Sequence, residues 1–500
     1  PLAVSAAASS NANIAQQREV TVTGTVLDSN GETVIGATIR VVGTKIATVS
    51  DMDGHFRLDA PAGATLQISS VGYDPQTVKV GDHPLRIVLI DNATMLKDVQ
   101  VVAFGTQKKV TVTGAISGIQ GAELLKTPTG SVTNMLSGAV PGLSSIQYSG
   151  EPGSDAATVL VRGKATWRNS APLIQVDGVE RDFNEIDPNE IENITVLKDA
   201  SATAVFGVRG ANGVILITTK RGREGKAKIS VTTSASVVLP TNMLKLANAY
   251  EYATYYNQML KNDASDTKVP FSAEILQKFK DHGDPIRFPD TDWINYCFKN
   301  VAFQSQHNVN ISGGTERVRY FISAGAFTQD GLFKQMALPY DFNFKYRRFN
   351  YRANLDMTPT TTLSVNIGGR VDTKNMPFSG EDNNQLFRHL YWSTPFSSPG
   401  IVNGKFVTTA TNYDDYQLPF TGASGLGAYY GMGYRSTSTN TLNADFILNQ
   451  KLDFLTKGLS FRLKGSYNSD YNMRKDRGAS VATYTPVLQP DGKMEYRKNG

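Results

Sequence analysis

From about residue 226 onward, apolar and polar positions alternate with period two in runs of about ten residues. In AKISVTTSASV, Ala227, Ile229, Val231, Ala235 and Val237 alternate with Lys228, Ser230, Thr232 and Ser234. RRFNYRANLDM sets Phe349, Tyr351, Ala353, Leu355 and Met357 against Arg348, Asn350, Arg352, Asn354 and Asp356. TLSVNIGGRVD and LSFRLKGSY repeat the pattern, and HNVNIS, RVRYFISAGAF and TLNADFILNQKL carry it more weakly. About seven strands are predicted, because successive strand side chains point to opposite faces. Short turns at 313–316, 359–361 and 455–458 alternate with long connections at 239–303, 374–437 and from 472 on. Within the first long connection, amphipathic helices are predicted over 247–260 and 272–282, with Tyr250, Tyr252, Tyr255 and Tyr256 as packing residues.

Two blocks precede this region. Residues 18–90 read as short strands between Gly, Asp, Asn and Pro turns, which predicts a small Ig-like β-sandwich. Asp51-Met52-Asp53-Gly54 lacks the further ligands and terminal Glu of a calcium loop, so it reads as a tight turn. Residues 110–222 mix helix and strand: a short helix over 131–139, strands ATVLVRG and PLIQVDGV joined by the polar loop 164–171, and a helix start at Asp187-Pro188. A strand ITVLKD, a short helix SATAVFG and a strand GVILITTKRG follow. Gly207, Gly210 and Gly213 do not directly follow a strand and have no acidic residue at the right offset, so they are turn glycines and not a dinucleotide fingerprint. Between the blocks lies DVQVVAFGTQKK, a strand-length apolar run at 99–104 with a polar tail.

The chain has 500 residues and a net charge of +5, which gives no argument for nucleic acid. Charged residues are 19%, below the roughly 25% of soluble domains. Cys297 is the sole cysteine, so no internal disulfide forms. No apolar run is long enough for a transmembrane helix, but spanning strands leave no such peak. Strands of about ten residues suit a tilted crossing of an apolar band roughly 25 Å tall. Several charges on each polar face suit a wet lumen, and the short and long connections suit the two ends of a barrel. A transmembrane antiparallel β-barrel is therefore expected. PLAVSAAASSNANIAQ reads as the remnant of a secretory signal over 1–15, cleaved before Gln16. No nucleophile–base–acid set, metal cluster or phosphate loop emerges, and His55, His83, His282, His307 and His389 are scattered. Neither an enzyme nor a cofactor is expected.

The first block resembles the carboxypeptidase regulatory-like domain through GTVLDSNGETVIGATIRVVGT, TVSDMDGHFRL and SSVGY, a likeness of fold and not of hydrolysis. DVQVVAFGTQKK followed by VTGAIS is similar to the TonB-box region of SusC/RagA-like, TonB-linked outer-membrane transporters. VRGKATWRNSAPLIQVDGV and IENITVLKDASATAVFGVRGANGVILITTKRG resemble the plug of that family. DTDWINYCFKNVAFQSQHNVNISGGTERVRYFISAGAF resembles its first barrel hairpin. The resemblance implies a sandwich over 16–95, a TonB box and tether over 96–109, a plug over 110–222 and, over 223–500, the first part of a 22-stranded barrel. It further implies energised import of a nutrient, an oligosaccharide or alternatively a peptide, by an outer-membrane protein in contact with lipid. Implied partners are the TonB–ExbB–ExbD complex and a SusD-like lid lipoprotein, in a dimer of transporter–lid pairs, with no nucleic acid. A passive porin or adhesin is the alternative class.

Within that frame Val99, Gln100, Val101, Val102, Ala103 and Phe104 are the TonB box, an extended segment whose unpaired backbone adds as an edge strand to a partner sheet. Gly105 and the polar residues to 109 form its tether. Trp167, Arg168 and Asn169, on the plug loop, are candidate substrate contacts, since Trp stacks on a ring while Arg and Asn donate hydrogen bonds. The alternative packs Trp167 against the barrel wall. Arg162, Arg209, Glu190 and Glu192 are candidate plug–barrel ion pairs, with solvated charges as the alternative. Tyr391, Trp392, Tyr429 and Tyr430 either line an external cavity or stiffen the loops.

Overall fold

The period-two segments form one continuous antiparallel sheet. A computed structural model describes residues 19–499, apart from 29–30, 45, 71–72, 82, 91–98, 103–104, 109–115, 128, 165, 168, 264–268, 337, 359–360, 379–382 and 429. The sheet runs in chain order through Gly225–Val238, Ala302–Gly314, Val318–Asp330, Lys345–Met357, Thr361–Pro377, Gly433–Lys451 and Ser460–Gly478. Register keeps like with like. Phe349 faces Val371 on one side, while Arg348 faces Asp372 and Asn354 faces Asn366 on the other.

The burial is inverted relative to a water-soluble sheet. Arg348, Asn350, Arg352 and Asn354 are buried, whereas Phe349 and Tyr351 between them are exposed. Ile229, Val231, Ile322, Ile367 and Phe446 are exposed on the same apolar face. Such a face is stable where its surroundings are hydrocarbon, and the polar face is stable only where it meets polar groups.

The strands run from 13 to 19 residues, longer than the sequence pattern predicts. The excess lies where alternation fades. Near the far end of the last hairpin, Arg435 pairs with Asp476 at 2.8 Å and Arg474 joins the same carboxylate at 2.6 Å. Three short connections fall where the turns were predicted. At the opposite end, the stretch 331–344 is a further long connection that alternation alone did not reveal.

The first long connection forms helices Ala249–Asn262 and Ala273–Asp281. A capping box between Asn248 and Glu251 starts the former, and the Ser272 side chain starts the latter. Tyr252 and Tyr256 pack in an aromatic cluster with Phe271, Phe279, Phe396 and Phe420, while Tyr250 and Tyr255 stay exposed. Helices Trp293–Cys297 and Asn383–Trp392 were not predicted, nor was a sheet of Gly400–Val402, Lys405–Val407, Thr483–Leu488 and Met494–Lys498.

Against the polar face lies a five-stranded sheet ordered Ile116–Gln120, Ile191–Leu197, Val214–Thr219, Leu173–Val176 and Val179–Glu180. Its core contains Leu124, Leu136, Ile186, Ile191, Ile194, Val196, Ile215 and Ile217. Gly121 is required by close packing, since a Cβ there would stand 2.0 Å from the Ile191 carbonyl oxygen. The helix predicted over 131–139 contracts to the single turn Val132–Met135. At Asp187-Pro188 only the 3-10 turn Pro188–Glu190 forms, because Ile191 is claimed by a central strand. Gly207 and Gly213 turn the chain with φ of 56° and 86°.

The N-terminal sandwich belongs to a separate compact unit. One sheet joins His55–Pro61, Glu19–Leu27 and Leu85–Val88; the other joins Ala47–Val49, Thr38–Val41, Thr65–Ser69 and Gln76–Lys79. Val26, Ile39, Leu66, Ile68 and Leu89 are fully buried between them. Asp51 closes a turn by accepting from the backbone N–H of Asp53 and His55, with Gly54 at φ 75°. The signal remnant expected over 1–15 lies outside the described residues.

Candidate functional site

The polar face of the large sheet meets the smaller domain through charges that alternation placed there. Arg352, mid-strand, donates from Nε to Glu190 Oε2 at 2.6 Å. Glu190 is held in place by the 3-10 turn that Asp187 caps. Arg181 grips Asp445 with two bonds of 2.9 and 2.6 Å and also donates to Asn468, while Ser466 donates to the same carboxylate. Arg348 lies 3.4 Å from Asp187 and donates to the Gly130 carbonyl at 2.9 Å. Arg221 reaches Asp356 at 2.8 Å, and Asn354 donates to Thr219 and to the Lys220 carbonyl. Lys464 donates to the Asp177 carbonyl at 2.5 Å.

Burying charges is expensive, so such pairs fix register more than they glue two surfaces. Burial pushes the Glu190 carboxyl above its ordinary range while Arg352 pulls it down. Burial likewise raises Asp155 and Glu185, against hydrogen bonds from Gln329 and Asn443 respectively. Asn350 and Asn366, both almost fully buried on the sheet's polar face, have no protein partner for either amide atom. The interface is therefore polar beyond what its direct bonds use.

Of the four candidate ion-pair residues, Glu190 meets the barrel wall at Arg352. Glu192 pairs with Arg223, an exposed residue leading into the first barrel strand, at 2.8 Å. Arg162 and Arg209 do not reach the wall. Their partners are Asp199 and Glu180, within the small domain and partly or largely exposed. Arg162 sits just past the strand Thr158–Val161 with φ 58°, and Arg209 lies in a 3-10 turn, so both project from connections. Arg181, Arg348 and Asp445 were missed. For Arg348 and Asp445, a charge at a polar-face position of an alternating strand was the available signal.

Trp167 is 98% exposed and does not pack on the wall. Its loop is tied down by Asn169, whose carbonyl accepts from Asn212 at 3.0 Å and whose side chain accepts from the Ala171 N–H at 2.9 Å. Arg168 lies outside the described residues, as does Tyr429. Trp392 is exposed beneath the Arg388 guanidinium, 4.8 Å from its ring, whereas Tyr430 is buried in the loop core. The segment expected to be unpaired is paired. Val99–Val102 and Gly105–Lys108 form a two-stranded sheet, so the expected tether is itself a strand. Extended β-branched backbone satisfies its hydrogen bonds with the nearest available strand. Ala103 and Phe104 lie outside the described residues.

Residues 108–214 match the family model for the TonB-dependent receptor plug domain, and residues 22–102 match that for the CarboxypepD_reg-like domain. The chain is 32% identical over 510 residues to the TonB-dependent receptor SusC of Bacteroides thetaiotaomicron, covering 97% of this chain and 47% of that protein. It is 33% identical over 360 residues to the TonB-dependent receptor P3 of Formosa agariphila, covering 71% of this chain and 33% of that protein. The RagAB peptide importer in its open-open state shares the fold, with a TM-score of 0.60 at 23% identity over 76% of this chain and 43% of that one. The chain thus spans about half the length, or less, of the curated relatives it matches.

Proposed function

The chain belongs to the SusC/RagA-like TonB-dependent receptors, and from that membership we propose that it serves energised nutrient import across the outer membrane. The observation that carries this reading is the buried contact between plug and wall, anchored by Glu190–Arg352 and Arg181–Asp445. Parting desolvated ion pairs leaves buried charges uncompensated, so such a plug does not move aside for a diffusing solute. Opening needs outside work, and the outer membrane holds no nucleotide pool to supply it.

The work enters at the segment 99–104, drawn by a TonB–ExbB–ExbD complex powered by the proton gradient. A two-stranded ribbon keeps an open edge to which a partner strand adds. The cargo is an oligosaccharide, and a SusD-like lipoprotein lid covers the long loops in a dimer of transporter–lid pairs. The aromatic cluster that rigidifies those loops suits a docking platform. The role is transport, with no reaction catalysed.

The test is uptake of labelled substrate by cells carrying the full-length receptor, with and without collapse of the proton gradient, beside a deletion of 99–104. Uptake should cease in both cases at normal surface expression. Uptake that persists after collapse would make the protein a passive pore.

A further inference from the structure

The apolar face of the large sheet distributes its charge unevenly. Register places on that face Lys345 and Arg347 of strand Lys345–Met357, Lys475 and Arg477 of strand Ser460–Gly478, and Asp330 of strand Val318–Asp330. Among the described residues these are its only Lys, Arg, Asp or Glu positions, and all stand at the end bearing the long connections. At the short-turn end the same face presents Val318, Met357, Thr361, Gln450 and Phe461. We propose that Arg347, Lys475 and Arg477 bind the phosphates of outer-leaflet lipid headgroups, a proposal that rests on the outer-membrane reading above.

Height along the strands puts Arg347 at the lipid boundary. From Met357 to Phe349 the apolar face rises roughly 20 Å, for a strand tilted by about 40°. The apolar band of a barrel is roughly 25 Å tall, so Arg347, the next position on that face, meets headgroups and not open water. Its ladder row is rich in hydroxyls: Ser305, Thr328, Thr373 and Ser438 lie beside it in register. In the row above, Asn375 and Ser436 separate Lys345 from Lys475. Hydroxyls and amides donate to the phosphate oxygens that the cations attract.

Charge selects the sign of the headgroup. Asp476, next to Lys475 in sequence, alternates to the opposite face and is taken there by Arg435 and Arg474. Lys345 is neutralised by Asp341 at 3.1 Å, with Asp330 opposite it in register. Arg347, Lys475 and Arg477 are exposed and enter no ion pair among the described residues, although Lys475 lies 6.0 Å from the Tyr434 ring. Three strand spacings, roughly 14 Å, separate Arg347 from strand Ser460–Gly478, too far for one phosphate to bridge. Arg347 therefore holds one phosphate through its planar fork, and Lys475 with Arg477 holds another.

The experiment measures lipid binding to the purified full-length receptor in neutral detergent by native mass spectrometry. The probes are phosphorylated lipid A, the same lipid stripped by phosphatase, and inorganic phosphate. Wild type is compared with Arg347→Lys, Arg347→Gln and the triple change Arg347→Gln/Lys475→Gln/Arg477→Gln. All three side chains are exposed, so the fold should persist, and heat-modifiability in gels verifies that. Affinity for phosphorylated lipid A should fall roughly fivefold in Arg347→Gln and roughly a hundredfold in the triple variant, and less in Arg347→Lys. Unchanged affinity in the triple variant, or equal affinity for the stripped lipid, would overturn the proposal. Inorganic phosphate bound as tightly as the lipid would overturn the lipid as its source. A triple variant that keeps its lipid but no longer self-associates would give the patch to a second copy of the chain. Gradient-dependent uptake is read separately: phosphate-dependent lipid binding without energised uptake would sink the import reading and leave the patch standing.

Discussion

Arg352 Nε donates to Glu190 Oε2 at 2.6 Å, and each side chain is 1% exposed. The two residues belong to different domains and to opposite sides of one interface. Glu190→Ala leaves the guanidinium buried and uncompensated, which costs about 3–5 kcal/mol. Hydrogen exchange in strand Ile191–Leu197 should accelerate accordingly in the full-length receptor. The double change Glu190→Gln with Arg352→Met should recover most of that loss. No recovery would mean that the pair does not act as a unit.

Asp155 and Glu185, both beside the wall, have carboxyls raised by burial from ordinary values of 3.8 for Asp and 4.5 for Glu. A carboxyl raised in the native state holds its proton more tightly there. Its favourable contribution is full below the ordinary value and is lost as pH rises through the raised one. Plug seating should therefore strengthen as pH falls from neutral toward that window. Exchange rates corrected for intrinsic chemistry measure this, and Asp155→Asn should flatten part of the slope. A slope of opposite sign would refute the assignment.

Val101→Pro removes a backbone N–H from the strand Val99–Val102. Strand addition to a partner relies on such groups, so energised uptake should drop at least tenfold while substrate affinity stays at the wild-type value. Equal uptake in the variant would show that the segment is not gripped as a strand.

Trp167 stands clear of the plug on a loop that Asn212 secures. Trp167→Ala should change stability by less than about 0.5 kcal/mol. Substrate affinity should weaken severalfold, by loss of a stacking surface. Calorimetry on the intact receptor checks both halves, and unchanged affinity removes Trp167 from the substrate path.

Arg287 ties two long connections together, donating to Asp284 at 2.6 Å and to both oxygens of Asp415 at 2.8 and 2.9 Å. Arg287→Lys keeps the charge but loses the fork, so it should fail to hold Asp415. A loss of about 1.5–3 kcal/mol in the local stability of the loop around residue 415 is expected for either Lys or Met. Limited proteolysis of that loop would report it, and full protection in the Lys variant would contradict the bridging role, in which Nε holds Asp284 and Nη1 holds Asp415.

Alternation settled the wall. Once Phe349 and Tyr351 alternate with Arg348, Asn350 and Arg352, any extended strand carries two unlike faces, because side-chain direction follows the backbone. Turn residues settled where the sandwich and plug change direction, as at Asp51 and Gly207, because those conformations are local. The extent of helices was less legible. At Pro188 a local start signal was overruled by a strand that needed Ile191.

What the sequence by itself determined was therefore the class of each segment: sandwich, apolar run, mixed plug and two-faced strands. Only the tertiary structure decided which charges meet. Glu190 finds Arg352 across 162 residues and Arg181 finds Asp445 across 264, whereas Arg162 and Arg209 turn back to their own domain. Local sequence fixes a side chain's direction through the short-range geometry of the backbone. Ion pairing depends on distance in space, and that distance is set only when two separately folded surfaces are brought together.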